Sequence, residues 1–261
     1  MNSLIDTLLK NDRPLVIGHR GYAAKAPENT LASFRTCLDA GISAVEFDVH
    51  TCESGELVVI HDHNLGRTTG YDGVVEQTPL GRIRELDAGS WYSAAFTGER
   101  VPLLEEVFEL LGTQMYYDIE IKWKVSRLSG LEEKLVAMIR RFGISDRSLV
   151  TSFNPFSLKE VRQLAPDIAT GLLYTNDSDE LPRILRRGAG RFICRPVTLN
   201  PAKHLVTPWF MLLNHRIAGY PVIPYTVNSP PEVRRLNALG VSGIISDDPG
   251  MVLSTLTDRV S

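Results

Sequence analysis

The stretch AVEFDVHTCESGELVVIH, residues 44–61, carries two signals at once. Glu46, Asp48 and His50 alternate with Val45, Phe47 and Val49, so a strand here sets polar groups on one face and bulky apolar groups on the other. Ser54-Gly55 offers a tight turn, and Leu57 to Ile60 reads as a second strand ending in His61-Asp62. With a two-residue turn, Glu53 faces Glu56 and Asp48 falls opposite His61. A carboxylate pair beside an imidazole is the makeup of a metal-assisted hydrolytic site; an edge hairpin with solvated charges has the same pattern. The flanking chain decides between them.

Upstream, Leu15 to Gly21 reads as a buried strand ending in the polar groups His19 and Arg20. Asn29 is a credible N-cap for a helix carrying Leu31, Phe34 and Leu38, and Gly41 stops it. Downstream, residues 62–100 lose the rhythm and are expected to form a small insertion over one mouth of the domain. Alternation then resumes. Strands are expected near 115–122, 148–153, 168–174, 191–195, 222–227 and 243–246. Helices are expected near 103–111, 131–142, 157–165, 180–187, 208–218 and 231–239. Without the return arm of the hairpin, eight strands can run parallel, which over residues 1–261 predicts one α/β domain, a (β/α)₈ TIM barrel. The competitor is a doubly wound open sheet, but no glycine-rich dinucleotide fingerprint follows the first strand.

Composition narrows the function classes. With 43% hydrophobic and 23% charged residues, the chain has ample material for a soluble core. A net charge of −3 and a pI near 6.1 supply no basic field for nucleic acid. Arg183, Arg186, Arg187 and Arg191 read as a solvated helix face. Three widely spaced cysteines, Cys37, Cys52 and Cys194, suit a reducing compartment. The first ten residues lack a long apolar run, so the expectation is a cytoplasmic protein without stable membrane insertion.

In a barrel of this kind, functional groups gather at the carboxyl ends of the strands. Collecting them there gives His19 and Arg20, then Glu46 and Asp48, then Glu120 and Lys122, with His61 delivered by the hairpin and Ser152, Asn228 and Asp247 by later strands. Glu46, Asp48 and Glu120 offer three hard oxygen ligands, suited to one divalent ion, Mg²⁺ or Ca²⁺. Arg20 and Lys122 offer positive charge to a phosphate. His19 and His61 are natural acid and base near neutrality. Together these groups predict phosphodiester cleavage. Phe153 and Tyr225, with Trp123, stand where they can wall a substrate pocket, and core packing is the competing role. Glu28 is expected to orient Arg20, and Asp118 to sit one layer below Glu120. His50 and His63 read as supporting or solvent-facing groups, and His204 and His215 as structural ones.

His19-Arg20-Gly21, Pro27-Glu28-Asn29-Thr30, Glu46-Phe47-Asp48-Val49, His61-Asp62 and Arg67-Thr68-Thr69 resemble, in order and spacing, the glycerophosphodiester phosphodiesterase family. Ile119-Glu120-Ile121-Lys122, Tyr225-Thr226-Val227-Asn228 and Gly243-Ile244-Ile245-Ser246-Asp247 continue the match, over roughly residues 15–249. The resemblance is to its short, soluble, bacterial-type members. It implies a barrel of the phospholipase C-like phosphodiesterase type with an insertion at 62–100. It further implies a divalent metal at Glu46, Asp48 and Glu120, acid/base roles for His19 and His61, and phosphate contacts from Arg20 and Lys122. The implied reaction hydrolyses a glycerophosphodiester to sn-glycerol 3-phosphate and an alcohol such as choline or ethanolamine. A lysophospholipase D or a cyclising lyase on the same scaffold is the alternative, and a non-catalytic phosphodiester-binding protein a further one. Tyr225 stands where members often carry Trp, and Ser246 where Thr is common. Both keep the chemical type, so they bear on substrate shape more than on catalysis. A small-molecule substrate is the expected partner, and homo-oligomerisation is left open.

Overall fold

Parallel strands joined by helices must bury both faces, and the side-chain clusters show which residues go where. The computed structural model describes residues 3–10, 12–122, 130–176 and 188–258. Strands β1 (Leu15–His19), β2 (Ala44–Thr51), β4 (Tyr116–Ile121), β5 (Ser148–Ser152), β6 (Ala169–Tyr174), β7 (Thr198–Pro201) and β8 (Gly243–Ser246) form one sheet in the order β7-β6-β5-β4-β2-β1-β8. Every neighbouring pair on that path is parallel. The short β3 (Leu57–Val59) pairs antiparallel with β2.

Residues 221–227 close the ring. Pro221 and Pro224 lack an N–H, so no continuous ladder forms. Ile223 and Tyr225 nevertheless donate to Leu199 and Pro201 on β7. On the other side Val222 and Pro224 accept from Gly243 and Ile245, and Val227 donates to Ile245. Eight parallel segments thus complete a (β/α)₈ barrel.

Val45, Phe47 and Val49 pack outward with Phe34, Phe108 and Tyr117, under α2 (Leu31–Asp39) and α5 (Leu104–Leu111). The inner floor is apolar: Leu15, Ile17, Ala44, Leu149, Ala169, Ile223 and Ile245 pack with Leu4 and Leu8 of α1 (Ser3–Lys10). Above the floor the interior turns polar. Thr151 donates to Asp118 at 2.6 Å, and Thr198 to Asn200 at 2.8 Å. Gly171 makes this layer fit, since a Cβ there would meet Thr198 Oγ1 at 2.4 Å and Asn200 Oδ1 at 2.8 Å. The remaining helices α6 (Leu131–Arg141), α7 (Pro155–Leu164), α10 (Pro230–Leu239) and α11 (Pro249–Thr257) follow the strands. Residues 62–100 form short helical turns, among them α3 (Gly66–Thr69) and α4 (Leu80–Ile83), around a cluster of Leu65, Val75, Ile83 and Leu86.

Four sequence expectations need correction. The strand expected at 191–195 is instead a helical turn, α8 (Arg191–Cys194), with Phe192 76% exposed, and the strand lies at β7. The hairpin loop has three residues, because Cys52 donates to Glu56 and Val49 pairs with Val59. Asp48 therefore pairs with Ile60, and Glu53 does not face Glu56. The cap of α2 is Thr30, whose side chain accepts from Ser33, while Asn29 adopts φ 55° and turns elsewhere. The helix expected at 208–218 begins as α9 (Pro208–Met211) and continues as a π-helical turn, Leu212–Ile217. The helix expected at 180–187, with Arg183, Arg186 and Arg187, and Trp123 lie outside the described residues. Arg191 donates to Asn214 at 2.8 Å.

Candidate active site

Because β2 and β4 are neighbours with Glu46 opposite Asp118 and Asp48 opposite Glu120, strand alternation builds a block of four carboxyl groups on the inner wall. Oxygens of Glu46, Asp48 and Glu120 lie within 4.8 Å of one another, and all three residues are buried. Asp118 is one pleat below Glu120, as the spacing predicts.

Positive groups answer this charge from two sides. Lys122 Nζ stands 2.7 Å from Glu120 Oε1 and 2.9 Å from Asp48 Oδ1. Arg20 Nε stands 3.4 Å from Asp48 Oδ2, and the backbone N–H of Arg20 donates to Glu46 Oε2 at 3.0 Å. Asn29 donates to Asp48 Oδ2 at 2.8 Å, which is what its unusual backbone achieves. Gly21 permits the turn: at φ 84° its Cβ would meet Ser33 Oγ at 2.2 Å. Burial pushes the Glu46 carboxyl well up, and the charges of Asp48 and Glu120 add to it. Burial also raises Asp48, but Lys122 and Arg20 outweigh it and hold that carboxyl far down. Burial raises Glu120 despite Lys122, and raises Asp118 to about 7.

Asp48 Oδ1 is buried without a hydrogen bond; Lys122 is close enough for an ion pair but not aligned to donate. A bare buried carboxylate oxygen beside two further carboxylates is a donor set that fits a hard divalent cation.

The two histidines share one design. His19 Nδ1 is 2.5 Å from Asp247 Oδ1, and His61 Nδ1 is 2.5 Å from Asp62 Oδ1. A carboxylate partner requires the proton on Nδ1 and leaves Nε2 for other work. His19 Nε2 points toward Glu46 Oε2, 3.9 Å away. Asn228 holds Asp247 through Oδ2 at 2.5 Å. Asp62 accepts from Arg67 Nε at 2.6 Å, Arg67 grips Glu28 through both terminal nitrogens, and Glu28 accepts from Arg20 at 2.7 Å. One chain of ion pairs therefore connects His61 to Arg20. Burial lowers His61 to about 4, with Lys122 and Arg20 adding to the effect and Asp48 and Asp62 opposing it. Burial raises the Asp62 carboxyl, but its bonds to Arg67 and His61 bring it down to about 2.

His19, Arg20, Glu46, His61, Glu120, Lys122, Phe153 and Tyr225 line one cavity of about 160 Å³ at the carboxyl end of the barrel. Asp48 lies behind them, 1% exposed. The rings of Phe153 and Tyr225 meet edge to face, 6.0 Å between centroids. His215 bonds the Tyr220 carbonyl, away from the site. Sequence reading alone misses what three residues do here: it places Asp247 at the site without a partner, gives Asp62 no role of its own, and makes Asn29 a helix cap. The signals were in the chain, since Asp62 follows His61 directly and Asp247 follows the last strand.

The model of the glycerophosphoryl diester phosphodiesterase family matches residues 19–251. A glycerophosphodiester phosphodiesterase of Caldanaerobacter subterraneus subsp. tengcongensis is 36% identical over 93% of this chain and 97% of its own length. The structure of an Oleispira antarctica phosphodiesterase in complex with the product sn-glycerol-3-phosphate superposes with a TM-score of 0.80, at 30% identity, over 94% of this chain and 98% of that one. A glycerophosphodiester phosphodiesterase from Agrobacterium tumefaciens gives 0.77 at 26% identity, over 92% and 99%. A barrel with this carboxylate block, matched along nearly its whole length, belongs to the glycerophosphodiester phosphodiesterase family.

Proposed function

We propose that this protein is a metal-dependent phosphodiesterase that hydrolyses glycerophosphodiesters to sn-glycerol 3-phosphate and an alcohol. The observation that carries the reading is the meeting of His19 and His61 with Arg20, Lys122 and the carboxylates in one cavity. Glu46, Asp48 and Glu120 would hold one divalent cation, Mg²⁺ or Ca²⁺. A cation bound there supplies Lewis-acid stabilisation of charge on the phosphoryl group.

The chain's own residues do the rest. Arg20 and Lys122 neutralise and orient the substrate phosphate. His61 is neutral at pH 7, the form that takes the proton of the hydroxyl, from water or the glycerol 2-position, as that oxygen bonds to phosphorus, with Asp62 holding its ring. His19, oriented by Asp247, donates to the departing alkoxide. Each proton transfer is worth about 10²–10⁴ in rate. Phe153 and Tyr225 give the substrate an apolar wall. The Oleispira complex, whose bound product is sn-glycerol-3-phosphate, supports the assignment of substrate class.

The test is release of sn-glycerol 3-phosphate from glycerophosphocholine and glycerophosphoethanolamine, in EDTA and after adding back Mg²⁺ or Ca²⁺. Release that EDTA abolishes and one of the cations restores supports the proposal. No release with either cation, or full release in EDTA, overturns it.

A further inference from the structure

Three side chains outside the proposed reaction meet at the rim of the barrel: His50 from β2, His63 from the loop after β3, and Glu76 from the 3₁₀ turn Val75–Gln77 of the insertion. His50 Nδ1 is 3.1 Å from Glu76 Oε1, and His63 Nδ1 is 3.0 Å from the same oxygen. The two imidazoles meet edge to face, 4.8 Å between centroids. The ligand atoms of all three lie within 4.8 Å of one another.

Hydrogen-bond accounting makes the arrangement unusual. His50 is 1% exposed, and its Nε2 faces the backbone carbonyl of His61 at 3.2 Å. That carbonyl can only accept, so the ring proton of neutral His50 belongs on Nε2. Its Nδ1 lone pair then points at a carboxylate oxygen, which also has no proton to give. A second ring proton on His50 would resolve the clash, and so would a metal cation between the two groups; the Co²⁺ titration tells them apart. Imidazole that binds a metal through one nitrogen while donating the other N–H to a backbone carbonyl is the usual arrangement for a histidine ligand. Tetrahedral zinc, with bonds of 2.0–2.1 Å, sets neighbouring ligand atoms roughly 3.3 Å apart. The observed 3.0 and 3.1 Å are within easy reach of that spacing. Two imidazoles and a carboxylate form a donor set for a borderline transition cation such as Zn²⁺, whereas the all-oxygen block beside it suits Mg²⁺ or Ca²⁺.

We propose that His50, His63 and Glu76 form a second metal site, for a Zn²⁺-class cation, with solvent completing the coordination. His63 and Glu76 are partly exposed, so the ion has a way in. The bound ion ties the insertion to β2 and fixes the carbonyl of His61 through His50. None of the three side chains takes part in the reaction proposed above.

The test uses the full-length protein, stripped with chelator, saturated with Mg²⁺ and titrated with Co²⁺ while visible absorption is read. One equivalent of Co²⁺ with an intense low-coordinate d–d band is expected. The band persists in Glu46→Gln. It is lost in His63→Ala and Glu76→Gln, with affinity falling further than the roughly 10–100-fold that loss of a mere supporting partner can cost. No band in the wild type, a band retained in either folded variant, or a band lost in Glu46→Gln overturns the proposal.

Discussion

Replacing Asp118 by asparagine tests whether the buried carboxyl block costs stability as pH rises. Its carboxyl titrates at about 7 in the folded protein, because burial and the nearby charges of Glu120 and Asp48 oppose ionisation, against 3.8 ordinarily. The folded state therefore keeps a proton that the unfolded chain releases near 3.8. Stability from this group is full below that value and is lost as pH rises through 7. At about 1.36 kcal/mol per pH unit, the interval amounts to about 4 kcal/mol. Asparagine keeps the bond from Thr151 but cannot accept the one from Asn200, a loss of about 1 kcal/mol at any pH. The two stability curves should cross at about pH 4.5. At pH 8 the variant should be the more stable by about 3 kcal/mol, roughly 5–10 °C in melting temperature for a chain of this size. Thermal melts in EDTA from pH 5 to pH 8 read this directly. A constant gap between the two proteins across that range refutes the reasoning.

Changing His19 or His61 to alanine should abolish turnover while leaving the far-ultraviolet circular dichroism unchanged; near-normal activity in either variant removes the acid/base assignment. Asp247→Ala should lower kcat by about 10²–10⁴ through misorientation of His19, and steady-state kinetics showing only a raised KM would argue against that role. Gly21→Ala should destabilise by about 2 kcal/mol or more, because the left-handed backbone and the 2.2 Å approach to Ser33 both resist a side chain. Denaturant melts measure it, and a neutral result would show that the His19-Arg20-Gly21 turn relaxes freely.

The sequence was most legible where alternation is strict. Glu46-Phe47-Asp48-Val49 and Asp118-Ile119-Glu120-Ile121 put acids inward and apolar groups outward, and the register confirms both strands. It misled where the barrel interior is itself polar. Thr198-Leu199-Asn200-Pro201 has too few apolar residues to read as a strand, because Thr198 and Asn200 face the buried polar layer around Asp118. Arg191-Phe192-Ile193-Cys194 looked more strand-like, yet forms a helical turn. Asn29 shows a different limit. Next to a helix start, an asparagine reads as a cap, and only the fold reveals that its amide serves Asp48 from 19 residues away. The same holds for Asp247, which reaches His19 across 228 residues of chain. The first pairing depends on how β1, α2 and β2 pack and the second on β8 returning beside β1, neither of which local pattern encodes.

Leu4 and Leu8 plug the barrel from below, so the reaction chamber is a blind well with a closed floor. Among the described residues nothing opens the well at its floor, so reactant and both fragments of a cleaved diester pass at its carboxyl end.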